Sequence, residues 1–307
     1  IAIFWDQLGA PVFLFSMHAV VHTASSIPAI AFAMPTTAGD AATILDGHPL
    51  AKMGRGGEAL GASLSASAIG GVLGAVAFLV AIPIARALIV WFGPPEFLVL
   101  AIAGLSMVAA LSGRNILTGL LVGLLGLLFA IVGRDVMTSV GRFTFGRPEI
   151  LDGLDLAAFI GGIFVVPEML SRWELHADSQ GRALETRLRD VLSGMWVTLK
   201  YLPLVLRSAL YGIWVGIMPG VGSSVSVWMS YAYAARTVKS EIPFGQGAIA
   251  GVIAPETANN SKEGGAMVPT LFFGIPGSSS MAIMLAALHV VGQEIGPSLL
   301  TSNVHVS

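Results

Sequence analysis

The chain contains no cysteine. That removes disulfides, thiolate metal sites and a cysteine nucleophile at once. Charge is also scarce: Asp, Glu, Lys and Arg make up 11% of the 307 residues, where soluble proteins carry about a quarter. What charge there is nearly cancels, at −2, so no basic footprint exists and nucleic-acid binding drops out. Length alone would allow one or two soluble domains. A hydrophobic content of 55% and a mean hydropathy of +0.81 predict instead an integral membrane protein set in a lipid bilayer. The 37 glycines fit, because small residues let membrane helices approach closely. The chain opens at Ile1 without a methionine or a signal-peptide pattern and stops at Ser307, and is expected to be a piece of a longer protein.

Against this apolar background, Gly251 to His289 is unusually polar. It holds Pro255, Glu256, Thr257, Asn259, Asn260, Ser261, Lys262, Glu263, Pro269, Pro276, Gly277 and three consecutive serines. Irregular backbone of this kind is not tolerated against lipid, because each unpaired N–H or C=O there costs several kcal/mol. The stretch must be buried in protein or line a wet cavity, which makes it the first candidate site.

The remainder divides by composition. Residues 12–34 are apolar but carry His18, His22, Thr23, Ser25, Ser26 and Pro28, which predicts two shorter pieces broken near Ser25 to Pro28. A polar loop is expected over 36–58, then a tilted span over 60–92 bent at Pro83. Gly93-Pro94-Pro95-Glu96 is a turn signal, and 97–111 and 116–132 read as paired spans. After a polar connection over 133–153, 154–170 spans again and is interrupted at Pro167-Glu168. The hydrophilic stretch 171–195 reads as a solvated loop with a short amphipathic helix. Trp196 to Met218 is the next span, broken by Pro219-Gly220-Val221-Gly222. Lys52, Arg55, Arg114 and the cluster Arg172, Arg182, Arg187 and Arg189 outnumber Arg134, Arg142 and Arg147 on the opposite side, which assigns the larger set to the cytoplasm.

An internal repeat accompanies this pattern. Residues 28–48 align without gaps to 269–289, pairing Pro28 with Pro269, Phe32 with Phe273, Pro35 with Pro276, Ala41 with Ala282 and His48 with His289. Interrupted hydrophobic segments at matching places are a feature of transporters. The fold expected is an all-α polytopic membrane protein with transmembrane helices and two repeat-related broken or re-entrant helical hairpins. Its units would be a first broken hairpin (1–58), transmembrane helices (59–170), the solvated loop (171–195) and a second broken hairpin (196–307).

A helix broken inside a membrane protein leaves free N–H groups at one half-helix N-terminus, which favour anions, and free carbonyls at the other end, which favour cations. Pro276, Gly277, Ser278, Ser279 and Ser280, followed by an apolar run, read as such an N-terminus. Thr36, Thr37 and Gly39 are the counterpart in the first copy, with Asp40 as an unexplained negative charge beside them. Asn259 and Asn260 can donate to a substrate or hold a cation through their side-chain oxygens, a cation site that could extend to Gly220. The substrate contacts predicted are therefore Gly277, Ser278, Ser279, Asn259, Asn260, Thr36 and Thr37. The bland alternatives are helix capping for the serines, a polar turn for the asparagines, a surface ion pair for Lys262 and Glu263, and hydrogen-bonded packing for His22 and His289. The segment from Gly216 to Gly222 lacks the Lys-Ser/Thr pair of a phosphate-binding loop.

Several of these blocks together resemble a known family. They are Pro219-Gly220-Val221-Gly222, the run from Ala254 to Asn260, Gly264-Gly265-Ala266, Pro269-Thr270 and the run from Gly274 to Ser278. With them go the run from Leu45 to Lys52, the run from Gly93 to Phe97 and the run from Arg142 to Gly146. The chain resembles the large membrane subunit of the tripartite tricarboxylate transporters, the TctA family. That resemblance implies a multi-pass permease of the bacterial inner membrane, working with a small membrane subunit and a periplasmic solute-binding protein. Such systems import carboxylates by alternating access, with Na⁺ or H⁺ as the coupling ion and no tightly bound cofactor, and a homodimer is an assembly open to it. The family pattern has a further Pro-Gly break ahead of the first copy, an Ile-Pro-Gly where this chain has Met34-Pro35-Thr36, and more spans beyond Ser307. An intramembrane hydrolase using Ser223 or Ser279 with His289, and a channel or scaffold without coupled transport, are the competing classes.

Overall fold

A computed structural model of the chain describes residues 9–37, 39–89, 116–135, 140–151, 186–219 and 221–293, with scattered positions elsewhere. Its described elements are mostly helices. In chain order they are α1 (Gly9–Phe32), α2 (Asp40–Leu50), a wide π-helical turn (Ala51–Arg55), α3 (Gly56–Ile89), α4 (Ile116–Ala130), α5 (Leu188–Lys200), α6 (Leu202–Ile217), α7 (Gly222–Thr237), α8 (Ala250–Phe273) and α9 (Ser279–Val290). Between α4 and α5, Gly133–Arg134 and Gly141–Arg142 pair as a minimal antiparallel ribbon, with Arg142 on Asp135 across it. By length and composition, α1 and the run Asp40–Ala87 are apolar enough to cross a membrane. The exposed faces of α3 (Val72, Val76, Leu79, Val80) and α4 (Leu117, Leu121, Leu124, Leu128) are aliphatic, as contact with lipid requires.

The polar helix α8 is the centre of the molecule. Every side chain from Ala250 to Ala266 is buried, with α3 and α6 packed most extensively along it and α7, α2 and α1 completing the sheath. Glycines set this closeness. A Cβ on Gly70 or Gly74 of α3 would collide with the backbone of Thr257 or Ser261, and one on Gly212 or Gly216 of α6 with the backbone of Ala258 or Lys262. Both pairs are spaced four apart, so two ridges without side chains cradle α8 from either side. Farther along, Phe78 stacks on Phe272 with ring centroids 5.5 Å apart.

Four expectations are corrected. First, α1 runs unbroken through Pro28, and the interruption comes later, over residues 33–39. Just before the proline, the Ser25 and Ser26 hydroxyls donate to the carbonyls of His22 and Thr23 at 2.8 and 2.9 Å. Second, most of the supposed loop 36–58 is helix, comprising α2, the π turn and the start of α3. Its charges are taken up inside the fold: Asp40 closes the turn ahead of α2, Arg55 pairs with Glu58 at 2.8 Å, and Asp46 points inward. Third, the span expected over 196–218 is two helices that bend at Tyr201 ahead of Pro203, and the first begins at Leu188. Fourth, the stretch read as irregular backbone is helix over Ala250–Phe273: Asn259 and Asn260 lie mid-helix in α8, which carries Pro255 and Pro269 without a break. Hydroxyls of Thr257, Ser230 and Thr270 donate to the carbonyls of Ile253, Ala254 and Ala266 around those prolines.

The start of α8 is capped from a distance. Ile249 stands at its N-cap and has no polar side chain to offer. Instead Asp46 Oδ1 accepts from the N–H groups of Gly245, Gly247 and Ala248, each at 2.8 Å, and Oδ2 accepts from Tyr231 Oη at 2.8 Å. A carboxylate at a helix N-terminus also complements its dipole. The predicted spans over 97–111 and 154–170 lie largely outside the described residues.

Candidate functional site: two helix breaks beside a buried polar helix

Each segment of the aligned pair 28–48 and 269–289 contains one proline inside a helix and one in a break. Pro28 and Pro269 lie within α1 and α8, whereas Pro35 and Pro276 fall in the gaps α1–α2 and α8–α9. At the first break Ala33 takes the left-handed conformation (φ +53°), which is strained for a residue with a Cβ. Asp40 then closes the turn. Its Oδ2 accepts from Thr36 N and Thr36 Oγ1 at 2.9 Å and from Thr37 N at 2.6 Å, while Oδ1 accepts from Ser25 Oγ at 2.6 Å. The N-terminus of α2 therefore already holds a carboxylate from its own chain. That explains Asp40, and it leaves the Thr36 and Thr37 amides occupied. Thr37 Oγ1, by contrast, is enclosed without a hydrogen-bond partner among the described residues.

The second break is built differently. Gly274 terminates α8 in the left-handed region (φ +70°), its N–H reaching Thr270 O at 3.1 Å and that of Ile275 reaching Pro269 O at 3.1 Å. Gly277 N donates to Thr270 Oγ1 at 3.2 Å, which ties the break back to the helix it leaves. Ser278 is the N-cap of α9, accepting from Met281 N at 3.3 Å, and its hydroxyl lies 2.9 Å from that of Ser280. Ser278 thus does capping work, and Ser279 is exposed at the first turn of α9.

Between the breaks runs a track of polar side chains on one face of α8. Glu256, Asn260 and Glu263 recur at four and three residues, the spacing of a helix face. Buried Glu256 accepts from Thr43 Oγ1 of α2 at 2.6 Å and from Ser67 Oγ of α3 at 2.9 Å. Asn260 accepts from Thr23 Oγ1 at 3.4 Å and donates to the carbonyl of Glu256 at 3.3 Å. Asn259 is different. It is 1% exposed, yet neither its Oδ1 nor its Nδ2 has a partner among the described residues. Its amide abuts Gly39 in the first break, where a Cβ would lie 2.7 Å from Oδ1. Buried amides are nearly always paired, which sets this one apart from the other polar groups of α8.

One turn along from Asn259, Lys262 and Glu263 are not a surface pair but a buried one, Nζ to Oε1 at 2.5 Å, with Lys262 2% exposed. From α1, His18 Nε2 lies 2.8 Å from Glu263 Oε2 and His22 Nε2 lies 3.0 Å from Oε1. The second is close in distance only, since neither ring nitrogen of His22 is aligned for a hydrogen bond. Two imidazoles and a carboxylate with donor atoms within 4.8 Å have the composition of a metal site. The Lys262 ammonium already lies on one of the carboxylate oxygens that such an ion would need. The sequence offered a surface ion pair as the bland alternative for Lys262 and Glu263 and no reading joined them to α1, although His18 and His22 at i and i+4 could have flagged the cluster. Gly220, placed near a possible cation site, lies outside the described residues. His289 is exposed at the end of α9.

Comparison with known proteins follows the same lines. The model of the tripartite tricarboxylate transporter TctA family matches residues 1–307. An uncharacterized 52.8 kDa protein in the TAR-I ttuC' 3' region of Agrobacterium vitis is 30% identical over 281 residues, 90% of this chain and 55% of that protein. An uncharacterized protein in the TAR-II ttuC' 3' region of the same organism is 36% identical over 91 residues, 30% of this chain and 38% of that protein. The chain thus spans about half the length, or less, of these curated relatives. No solved structure matches it.

Proposed function

The chain belongs to the tripartite tricarboxylate transporter TctA family, and from that premise we propose that it is the permease part of a cation-coupled uptake system for di- and tricarboxylates. It sits as a multi-pass protein in the bacterial inner membrane. A small membrane subunit and a periplasmic solute-binding protein are its partners, and Na⁺ or H⁺ supplies the drive. The two breaks are the re-entrant ends of repeat-related hairpins, and they alternate in opening the site to either side.

The observation that carries this reading is the unpaired amide of Asn259, buried in the central helix and turned toward the first break. Asp40 already fills the N-terminus of α2, so a substrate carboxylate is received by the Asn259 amide and the free Thr37 hydroxyl. Asn260, Thr36 and the second break at Gly277, Ser278 and Ser279 shape the rest of the path. The hydrolase alternative loses its geometry: Ser279 and His289 lie on one helix, about 15 Å apart at 1.5 Å per residue, too far for a nucleophile and base. A channel without coupling is distinguished by counterflow, which a channel does not accelerate.

The test uses proteoliposomes holding the protein and both partners, with labelled di- and tricarboxylates, with and without Na⁺. Asn259→Ala is the informative variant. Removing an unpaired buried amide forfeits no hydrogen bond, so only the packing lost on truncation bears on thermal stability, whereas uptake should fall at least tenfold. Uptake equal to that of the parent protein would overturn the assignment.

A further inference from the structure

We propose that Glu263, His18, His22 and Lys262 form the proton-binding site that couples carboxylate uptake to a proton gradient, a step that rests on the transport reading above. The cluster is assembled by two helices. His18 and His22 stand one turn apart on α1 with their rings perpendicular and centroids 5.3 Å apart; His18 Nε2 meets Oε2 of Glu263 on α8, and His22 Nε2 lies beside Oε1. Lys262 closes on the same carboxylate.

Its charges decide which cation it takes. With both imidazoles neutral, the ammonium and carboxylate cancel and the enclosed group carries no net charge. Na⁺ is held by oxygens, and this cluster offers it one carboxylate among two imidazoles and an ammonium. A divalent metal meets that ammonium directly. A proton meets two imidazoles, the side chain that titrates nearest to neutral pH, and His22 has both ring nitrogens enclosed and unaligned.

No other charged group described here competes for Glu263. On α3, Glu58 is paired with Arg55 and Arg86 is exposed. On α6, Arg207 is bonded to Tyr233 of α7 at 2.7 Å, and on α7 Tyr231 is bonded to Asp46 of α2. Asp40 of α2 is held by Ser25 and the first break, Glu256 by Thr43 and Ser67, and His289 of α9 is exposed.

The link to substrate is a matter of distance. Asn259 precedes Glu263 by one helical turn, about 6 Å along the axis. A proton taken from the outer water onto a His ring nitrogen turns the cluster to +1. At that separation, and with an effective dielectric near 20, it strengthens carboxylate binding at Asn259 by roughly ten- to a hundredfold. The proton and the anion then load together, and both leave to the inner water.

The experiment compares accumulation driven by an inward pH gradient without Na⁺, accumulation driven by Na⁺ at equal pH, and carboxylate exchange, in proteoliposomes with both partners. The parent protein is expected to accumulate on the pH gradient alone. In Glu263→Gln, pH-driven accumulation should fall at least tenfold more than exchange does. His22→Gln and His18→Gln should shift the pH midpoint of uptake by half a unit or more. Because Glu263→Gln strands a buried ammonium, the paired variant Lys262→Met with Glu263→Gln repeats the test without a lone charge. If the parent protein exchanges carboxylates but accumulates them only on Na⁺, the proton site is wrong and the transport reading stands. The proton site also fails if the paired variant and the histidine variants keep the parent's pH-driven uptake and pH profile. If the parent protein does not exchange at all, both fall together.

Discussion

Replacing Asp46 by alanine should be among the most damaging single changes in the described chain, and its size can be worked from the hydrogen bonds. Asp46 is fully buried and binds four donors, the N–H groups of Gly245, Gly247 and Ala248 and the Tyr231 hydroxyl. Gly245 is part-exposed and can turn to water. Gly247, Ala248 and Tyr231 are left without a partner in the interior. Each such loss costs about 1–3 kcal/mol, and a water entering the vacated space recovers some of it, so the sum is about 3–6 kcal/mol. Asp46→Asn keeps one oxygen for the amides and should cost about 1–2 kcal/mol, and Tyr231→Phe, which removes one hydrogen bond, about 1 kcal/mol. Membrane proteins commonly unfold irreversibly, so the measured quantity is the fraction remaining monodisperse in detergent after a heating step. The expected order of loss is Ala, then Asn, then the Tyr231 variant. An Asp46→Ala protein as heat-resistant as Tyr231→Phe would show that this carboxylate does not organise the entry to α8.

Two further changes test the packing and the second break. Gly74→Leu puts a Cβ about 2.7 Å from the Ser261 carbonyl and should destabilise by about 3 kcal/mol, seen as reduced recovery of folded protein. Gly71→Leu, three residues earlier with nothing within 4 Å, should be tolerated, and equal behaviour of the two would contradict the close approach of α3 and α8. Ser278→Ala removes the cap of α9 and should cost about 1 kcal/mol in the same heating assay. The exposed Ser279→Ala should leave stability alone, and combined with Asn260→Ala it should abolish uptake while membrane insertion stays normal.

Helical apolar character was legible from composition. The breaks at Pro35 and Pro276 were legible from the paired prolines, because a proline flanked by small and hydroxyl residues lies where helical bonding is weakest. The prolines inside α1 and α8 misled for the opposite reason. At Pro28 and Pro255 the helix continues, with serine and threonine hydroxyls of the same helix donating to nearby carbonyls and Ser230 doing so from a neighbouring helix, a contact that no local window contains. The polar loop assigned over 36–58 failed likewise. Asp40 and Asp46 look like surface charges until the amides of Thr36, Thr37, Gly247 and Ala248 are placed around them.

The polarity of α8 raised the same problem on a larger scale, and glycine was the missing clue. A helix carrying Glu256, Asn259, Asn260, Lys262 and Glu263 cannot face lipid, so neighbours must cover it closely. Close cover requires ridges with no side chains, and the chain supplies them as Gly70 with Gly74 on α3 and Gly212 with Gly216 on α6. Each pair lies on an otherwise apolar helix, where spacing of four means that a partner's backbone comes near. Setting those pairs beside the polar run would have shown that Gly251 to Phe273 is a buried helix rather than a loop. It would also have placed Lys262 and Glu263 inside, where they must pair, and where His18 and His22 at one-turn spacing on α1 become their only imidazole neighbours among the described residues.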